Sequence, residues 1–326
     1  MTKLWQTFWI SVLGVALVTA FILLLRPVLS QIELLPDQGA AWYYWKLPDP
    51  TFWTHATAWG FYVLHQIFFW GLIWWAQKNR DLLRDRNQLH PINLIGLLGT
   101  AGFAGLHYLQ TAVWYDGLAQ DVSVFSSQIS VIFLLIIVLM IEAPRRGLFF
   151  GQGGQWLSPV RPWLIKYHGY YFAWAVTYTY WFHPMETTPG HLLGFFYTFL
   201  LMVQGAFVFT RVHTNKWWTV TLEVLVLIHG VIVALVAGQE FWPMFFFGFA
   251  TMFVVTQMHG LGFPRWAQWG VVVAYVGGVY LVYSERGWSN LNEIIRIPVI
   301  DYGLVGLLGL ILVVALRRRT RKATTR

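Results

Sequence analysis

The sequence predicts an all-α integral membrane protein, a bundle of about ten transmembrane helices with both termini on the cytoplasmic side. The chain has 326 residues, of which 57% are hydrophobic and only 11% are charged. Soluble domains carry about 25% charged residues, and a soluble protein of this size could not cover its surface with fewer than half that share. We therefore expect most apolar residues to face lipid, in a single membrane domain that covers residues 1–326.

Apolar runs of spanning length are the second observation behind this fold class. A helix needs about 20 apolar residues to cross the hydrocarbon core of a bilayer. The runs are long and do not alternate polar with apolar residues, which favours helices over barrel strands. Ten such runs occur, at about 5–25, 52–77, 92–115, 122–141, 162–182, 191–210, 217–237, 241–258, 266–283 and 302–316.

The distribution of basic residues predicts the orientation. With the N-terminus inside, 18 of the 22 Lys and Arg residues fall in cytoplasmic segments, and six of these lie in the C-terminal tail. Short cytoplasmic loops are enriched in Lys and Arg, so topology accounts for the net charge of +8 and no nucleic-acid partner is expected. We expect a multi-pass protein of the bacterial plasma membrane. Only four basic residues remain outside: Arg26, Lys46, Arg286 and Arg296.

The connecting segments are too short to contain a soluble domain. The segment Trp288–Ile297 has the mixed polarity of a helix that lies flat on a membrane. The cytoplasmic segment Gly147–Gly154 contains four glycines but lacks the Gly-Lys-Ser/Thr ending of a phosphate-binding loop. We interpret it as a flexible turn.

Residue types that are absent from the sequence exclude several kinds of chemical site, and abundant types indicate how it meets the membrane. The chain has no Cys, which excludes disulfides, thiolate metal sites and cysteine nucleophiles. Its 20 Trp residues cluster mostly at the ends of the apolar runs, as in the aromatic belts of membrane proteins. The sequence contains neither a His-Glu-x-x-His zinc motif nor a Gly-x-Ser-x-Gly nucleophile elbow.

Ionisable residues inside a bilayer are costly and usually functional, and one group of them lies toward the cytoplasmic ends of helices five to eight. Histidine and carboxylate ligands suit Zn, Fe or Mn, and the same side chains can perform general acid–base chemistry. The predicted catalytic and metal-binding residues are His168, His213, His259 and Glu223, and the predicted substrate-binding residues are Arg211 and Gln257. The alternative is that each histidine only bonds helix-end carbonyls, water or lipid headgroups.

A second group of histidines lies several residues inside the apolar runs. His65, His107 and His229 are predicted to form an intramembrane polar path. Two of them could instead be axial ligands of a b-type haem, or each could make an ordinary hydrogen bond between helices. His107 and Gln110 lie one turn apart and share a helix face.

A third group faces outside, in the hairpin between helices five and six. Its two histidines end antiparallel neighbours, so we expect them to approach each other with a carboxylate between them. The alternative metal site, or site of proton uptake, consists of His183, Glu186 and His191, with Asp116, Asp121 and His55 on the same side.

Three functional hypotheses follow from these groups. The first is an enzyme that acts on a lipid or lipid-linked substrate from the cytoplasmic side through the site on helices five to eight. The second is a proton-coupled transporter or carrier that uses His65, His107, Glu223 and His229. The third is a haem-binding electron-transfer subunit. The cofactor stays open, since a divalent metal fits the first hypothesis and haem the third.

Overall fold

Helices make up most of the chain, as the long apolar runs require. The computed structural model describes residues 2–38, 43–236, 238 and 240–324, and this part contains no strand beyond a single bridge between Phe149 and Gln152. The all-α class is therefore confirmed. The helices of ten or more residues in this part are α1 Lys3–Ile22, α2 Phe52–Lys78, α3 Pro91–Trp114, α4 Val124–Arg146, α5 Arg161–Phe182, α6 Pro189–Ala206, α7 Lys216–Val236, α8 Trp242–Val255, α9 Arg265–Arg286 and α10 Glu293–Thr324.

Six segments of the described chain are long and apolar enough to cross a membrane. They are Lys3–Leu29, Pro91–Trp114, Val124–Arg146, Lys216–Val236, Arg265–Arg286 and Trp288–Arg318. Three of the other four predicted spans fall short for visible reasons. Helix α8 has only 14 residues, or about 21 Å, and α2 and α5 are rich in Trp, Tyr and His, which lower their mean hydropathy.

The C-terminal helix differs from its predicted bounds. It begins at Glu293 rather than near residue 302, so Trp288–Ile297 is not a separate interfacial helix. A short 3₁₀ turn, Trp288–Asn292, leads into it. Glu293 in the first turn suits the positive end of the helix dipole and pairs with Arg286 at 2.9 Å. As a result Asp301, which the sequence placed at the outer end of a span, lies about two turns inside α10.

The described chain divides into two compact units. Unit 1 comprises Met1–Val131 and Gly169–Leu222. Its central helix is α3, which packs against α1, α2 and α6. Gly96 lets α3 approach α6 closely, because a Cβ at that position would lie 3.2 Å from the Cβ of Ala206. Asn93, one turn earlier, donates hydrogen bonds to the carbonyls of Ala206 and Val208 at 2.8 and 2.9 Å.

Unit 2 comprises Ile132–His168 and Glu223–Arg326. Its helix α8 packs against α9 and α10. The turn predicted for Gly147–Gly154 is present, and it is packed against the end of α8, where the Phe150 amide donates to the carbonyl of Val255 at 2.7 Å. Three of its glycines, at positions 147, 151 and 153, have φ near +80°, a conformation that glycine adopts without strain.

Candidate functional site

A buried ion pair in unit 2 joins the end of one helix to a residue about two turns inside another. Arg146, the last residue of α4, donates through Nη1 to both carboxylate oxygens of Glu223 on α7, each at 2.9 Å. The side chains are only 1% and 8% exposed. The sequence assigned Arg146 to a cytoplasmic loop and gave Glu223 no partner. Nothing in the sequence relates two positions so far apart, so the pair was not predicted.

The ion pair lines a small cavity together with Gln257 and Asp301. The cavity measures about 20 Å³, which is about the space of one water molecule. Its remaining walls are apolar, formed by Leu135, Val138, Leu139, Val226, Phe249 and Met252. Within the described chain, Asp301 Oδ2 and the Nε and Nη2 atoms of Arg146 have no hydrogen-bonding partner, although Asp301 is only 3% exposed.

The charges around this cavity do not balance. With both carboxylates ionised, the set of Arg146, Glu223 and Asp301 carries a net charge of −1. Protonation of one carboxylate makes it neutral, which is the state that an apolar environment favours. The arrangement can therefore take up and release one proton beside a fixed guanidinium.

The three histidines predicted for this site lie elsewhere. In unit 2, His168 Nδ1 donates to the carbonyl of Ile165 at 2.7 Å and His259 Nε2 to that of Val254 at 3.1 Å. His213 belongs to unit 1, where its Nδ1 donates to the carbonyl of Gln204 at 2.8 Å. Arg211, the predicted substrate ligand, is an exposed residue of unit 1. Of the residues predicted at the cytoplasmic ends of helices five to eight, only Glu223 and Gln257 line this cavity together.

The geometry gives no support to the metal and haem hypotheses. In the part of the chain that the structure describes, no group of three or more His, Asp or Glu residues is arranged to hold a metal ion. His65 and His107 are both fully buried. Their rings stack on Phe103 and Trp181, with centroids 3.9 and 4.3 Å apart. Rings packed in this way leave no room for a porphyrin between them.

The predicted polar path is divided between the two units. His65 and His107 lie in unit 1, where Trp181 Nε1 donates to His65 Nδ1 at 3.0 Å. His229 lies in unit 2 with Glu223, and its Nδ1 is a buried atom without a hydrogen-bonding partner among the described residues. Each unit therefore has buried polar groups of its own.

Tyrosines of two other segments hold the outer hairpin of unit 1, which contains His183, Glu186 and His191, through hydrogen bonds. Tyr115 donates a short hydrogen bond to Glu186. The Tyr43 hydroxyl lies 2.8 Å from His183 Nδ1. The rings of His183 and His191 lie 5.1 Å apart, so the two histidines approach each other as expected. Burial raises the pKa of the Glu186 carboxyl, and the hydrogen bond from Tyr115 opposes this increase.

Asp116, beside this hairpin, is buried although it was predicted only as an outward-facing residue. Its Oδ1 accepts a hydrogen bond from the Gly117 amide at 2.7 Å, and its Oδ2 lies 3.9 Å from His55 Nδ1. Burial raises the pKa of Asp116 to about 7, helped by the charge of Asp121 and opposed by the Gly117 amide, His55 and Lys46. A carboxyl with this pKa exchanges protons at neutral pH.

Sequence reasoning missed three of these features: the role of Arg146, the inward position of Asp301 and the burial of Asp116. The only available signal was the placement of charged residues within or next to long apolar runs. Comparison of the chain with protein-family models, with curated proteins and with solved structures gives no match, so its function has to be inferred from the geometry of its own residues.

Proposed function

We propose that the chain crosses the membrane ten times, with both termini in the cytoplasm. The six long apolar helices and the inside excess of Lys and Arg support this topology. Because the chain has no Cys, a single introduced cysteine reports the side of the membrane on which it lies, without background labelling. A membrane-impermeant maleimide should label Ser289→Cys in intact cells and Gln88→Cys only after permeabilisation, since both positions are exposed. The reverse pattern would contradict the orientation.

We propose that the protein is a proton-coupled membrane carrier. The observation that carries this proposal is the cluster of Arg146, Glu223 and Asp301 around a water-sized cavity inside helices of a membrane protein. Buried ionisable residues at such positions typically belong to proton relays and coupling sites. A purely structural ion pair would not need a second carboxylate that lacks a hydrogen-bonding partner.

The cluster suggests how a proton would be coupled to a conformational change. When Asp301 carries a proton, Arg146 is held by Glu223 alone, as observed. When Asp301 is ionised, the unused donors of Arg146 have a second carboxylate to bind. The guanidinium then bonds α10 as well as α7, so the protonation state of Asp301 changes the forces between helices of unit 2.

The enzyme hypothesis has less support from the geometry and stays a prediction. The cavity beside Glu223 takes about one water rather than a lipid-linked substrate. The histidines that would transfer protons are bonded to nearby backbone carbonyls. Arg146 also occupies both oxygens of Glu223, which would have to act as the base or metal ligand.

Proton binding can be measured without knowing the cargo. Purified protein in liposomes on a solid-supported membrane should give a transient current after a pH jump, because protons bind at a site inside the membrane. Asp301→Asn should give a clearly smaller current. Glu142→Gln should keep it, because Glu142 pairs with Arg145 outside the cavity. The proposal is wrong if the wild type gives no current or if Asp301→Asn gives the full current.

A further inference from the structure

Unit 1 contains a row of buried polar groups whose capacity for hydrogen bonds is only partly used by the described residues. Among the described residues, Asp116 Oδ2, both amide atoms of Gln110 and the Nε2 of His65 have no hydrogen-bonding partner, and the His107 ring bonds only the backbone of His183. His65, His107 and Gln110 are fully buried and Asp116 is 3% exposed. Leaving a buried polar group unsatisfied is costly, so this row suits a ligand that both donates and accepts hydrogen bonds.

The four residues follow one another along helix α3 and its neighbour. His107 and Gln110 lie one turn apart on α3, and Asp116 follows the end of that helix. Phe103, one turn before His107, stacks on His65 of α2 at 3.9 Å. The two imidazoles also share neighbours, since His65 and His107 lie 5.7 and 4.7 Å from the ring of Tyr180. The row therefore runs from Asp116 past Gln110 and His107 to His65.

The dimensions of the row suit a file of water molecules. From His107 to Trp114, where α3 ends just before Asp116, the helix rises about 10 Å. Hydrogen-bonded oxygens are about 2.8 Å apart, so about four waters span this distance. Buried waters typically make about three hydrogen bonds to polar groups that would otherwise be unsatisfied, and the amide of Gln110 supplies a donor and an acceptor halfway along.

The hydrogen-bonding roles of the two histidines differ. Trp181 donates to His65 Nδ1, so the neutral ring of His65 carries its proton on Nε2 and can only donate to a neighbouring water. The backbone of His183 accepts a hydrogen bond from the His107 ring, so the proton of the neutral ring points there and the other nitrogen can accept a second proton. His65 therefore ends the file, and His107 is the deepest group that can accept a proton from it.

We propose that Asp116, Gln110, His107 and His65 line a file of bound water molecules that relays protons between Asp116 and His107. In one transfer, Asp116 loses a proton from Oδ2, each water passes on one proton as it receives one, and His107 gains one. Asp116 ends as a carboxylate and His107 as an imidazolium, so atoms and charge balance. The proposal rests on the proposed function for the use of the proton, but its test does not.

The charged and titratable groups around Asp116 suit exchange with the outside. His55 of α2 lies 3.9 Å from Oδ2, and Asp121 in turn lies 3.0 Å from His55. Lys46 contributes a positive charge that opposes the increase in the pKa of Asp116. The hydroxyls of Tyr43 and Tyr115 are held by His183 and Glu186. Asp116 therefore has several titratable neighbours, as expected for the end of the row that lies beside the outer hairpin.

Solid-state NMR of the full chain in bilayers, with ¹⁵N-labelled histidine, tests the relay. Magnetisation from water should reach His107 quickly, and its imidazole proton should exchange rapidly with water. The His107→Gln variant assigns the signal. In Gln110→Leu the transfer from water should fall several-fold, because the lining loses its only amide. In Asp116→Asn the transfer should persist while the proton exchange slows several-fold.

His90 provides an internal control at the opposite end of α3. Its Nε2 donates to the carbonyl of Asp85 at 2.9 Å, so its exchange rate should be the same in every variant. The proposal is overturned if no magnetisation passes from water to His107 in the wild type, or if it comes from a co-purified organic molecule instead. It is also overturned if the exchange rate of the His107 proton is unchanged in Asp116→Asn. A hydrated His107 in a protein without pH-jump current would instead sustain the relay and contradict the carrier.

Discussion

Replacing Arg146 with Met is expected to destabilise the protein by about 3–5 kcal/mol, because it leaves the buried carboxylate of Glu223 without a partner. The reverse change, Glu223→Met, leaves an uncompensated guanidinium and should cost a similar amount. Unfolding of the detergent-solubilised variants, followed by Trp fluorescence, measures both effects. A buried pair replaced as a whole by apolar residues is often neutral or stabilising. We therefore expect Arg146→Met combined with Glu223→Met to recover most of the lost stability.

A different outcome for the double variant would change the interpretation of the site. If the double variant were as unstable as the sum of the two single variants, the pair would not be a coupled unit and the two side chains would act independently. If neither single variant were destabilised, the pair would not be buried as described. Glu142→Gln serves as the control, since Arg145, the partner of Glu142, is an exposed residue and surface ion pairs contribute little.

Gly154→Ala is expected to be strongly destabilising in the turn after α4. An added Cβ would lie 1.9 Å from the carbonyl oxygen of Ala143, a backbone atom that cannot rotate away. Overpacking of this kind costs about 3 kcal/mol. Gly277→Ala in α9 is the matched control, because nothing lies within 4 Å of its added Cβ and helix propensity favours Ala.

The same unfolding assay compares the two glycine variants. Gly154→Ala should unfold at a clearly lower denaturant concentration than the wild type, and Gly277→Ala at the same concentration or a slightly higher one. Equal stability of Gly154→Ala and the wild type would mean that the turn Gly147–Gly154 does not pack against the end of α4.

The helical class was predictable because hydropathy is a property of contiguous residues. The apolar runs predicted near 92–115 and 217–237 agree with α3 and α7 within a few residues. The start of α10 was missed because the polar segment before residue 302 has the composition of a loop. Its helical conformation depends on tertiary contacts, such as the hydrogen bond between the hydroxyl of Thr251 and the carbonyl of Ile294.

The candidate site was predictable only in part, because it depends on contacts between distant positions. Glu223 was predicted to have a functional or paired role beside three histidines, and the structure pairs it with Arg146 instead. Two of those histidines, His168 and His259, bond carbonyls within five residues of themselves, and a hydrogen bond to a neighbouring backbone leaves no trace in composition or spacing. Asp301 was misplaced because the predicted helix began one residue too late to include it.

The pH-jump current of the Arg146→Met, Glu223→Met double variant tests the central claim most directly. This variant should be folded and should keep Asp301, but Asp301 then faces no cation and stays protonated in its apolar surroundings. We expect a transient current in the wild type and a clearly smaller one in the double variant. A full current from a stable double variant would show that the buried cluster stabilises the fold and that proton binding occurs elsewhere.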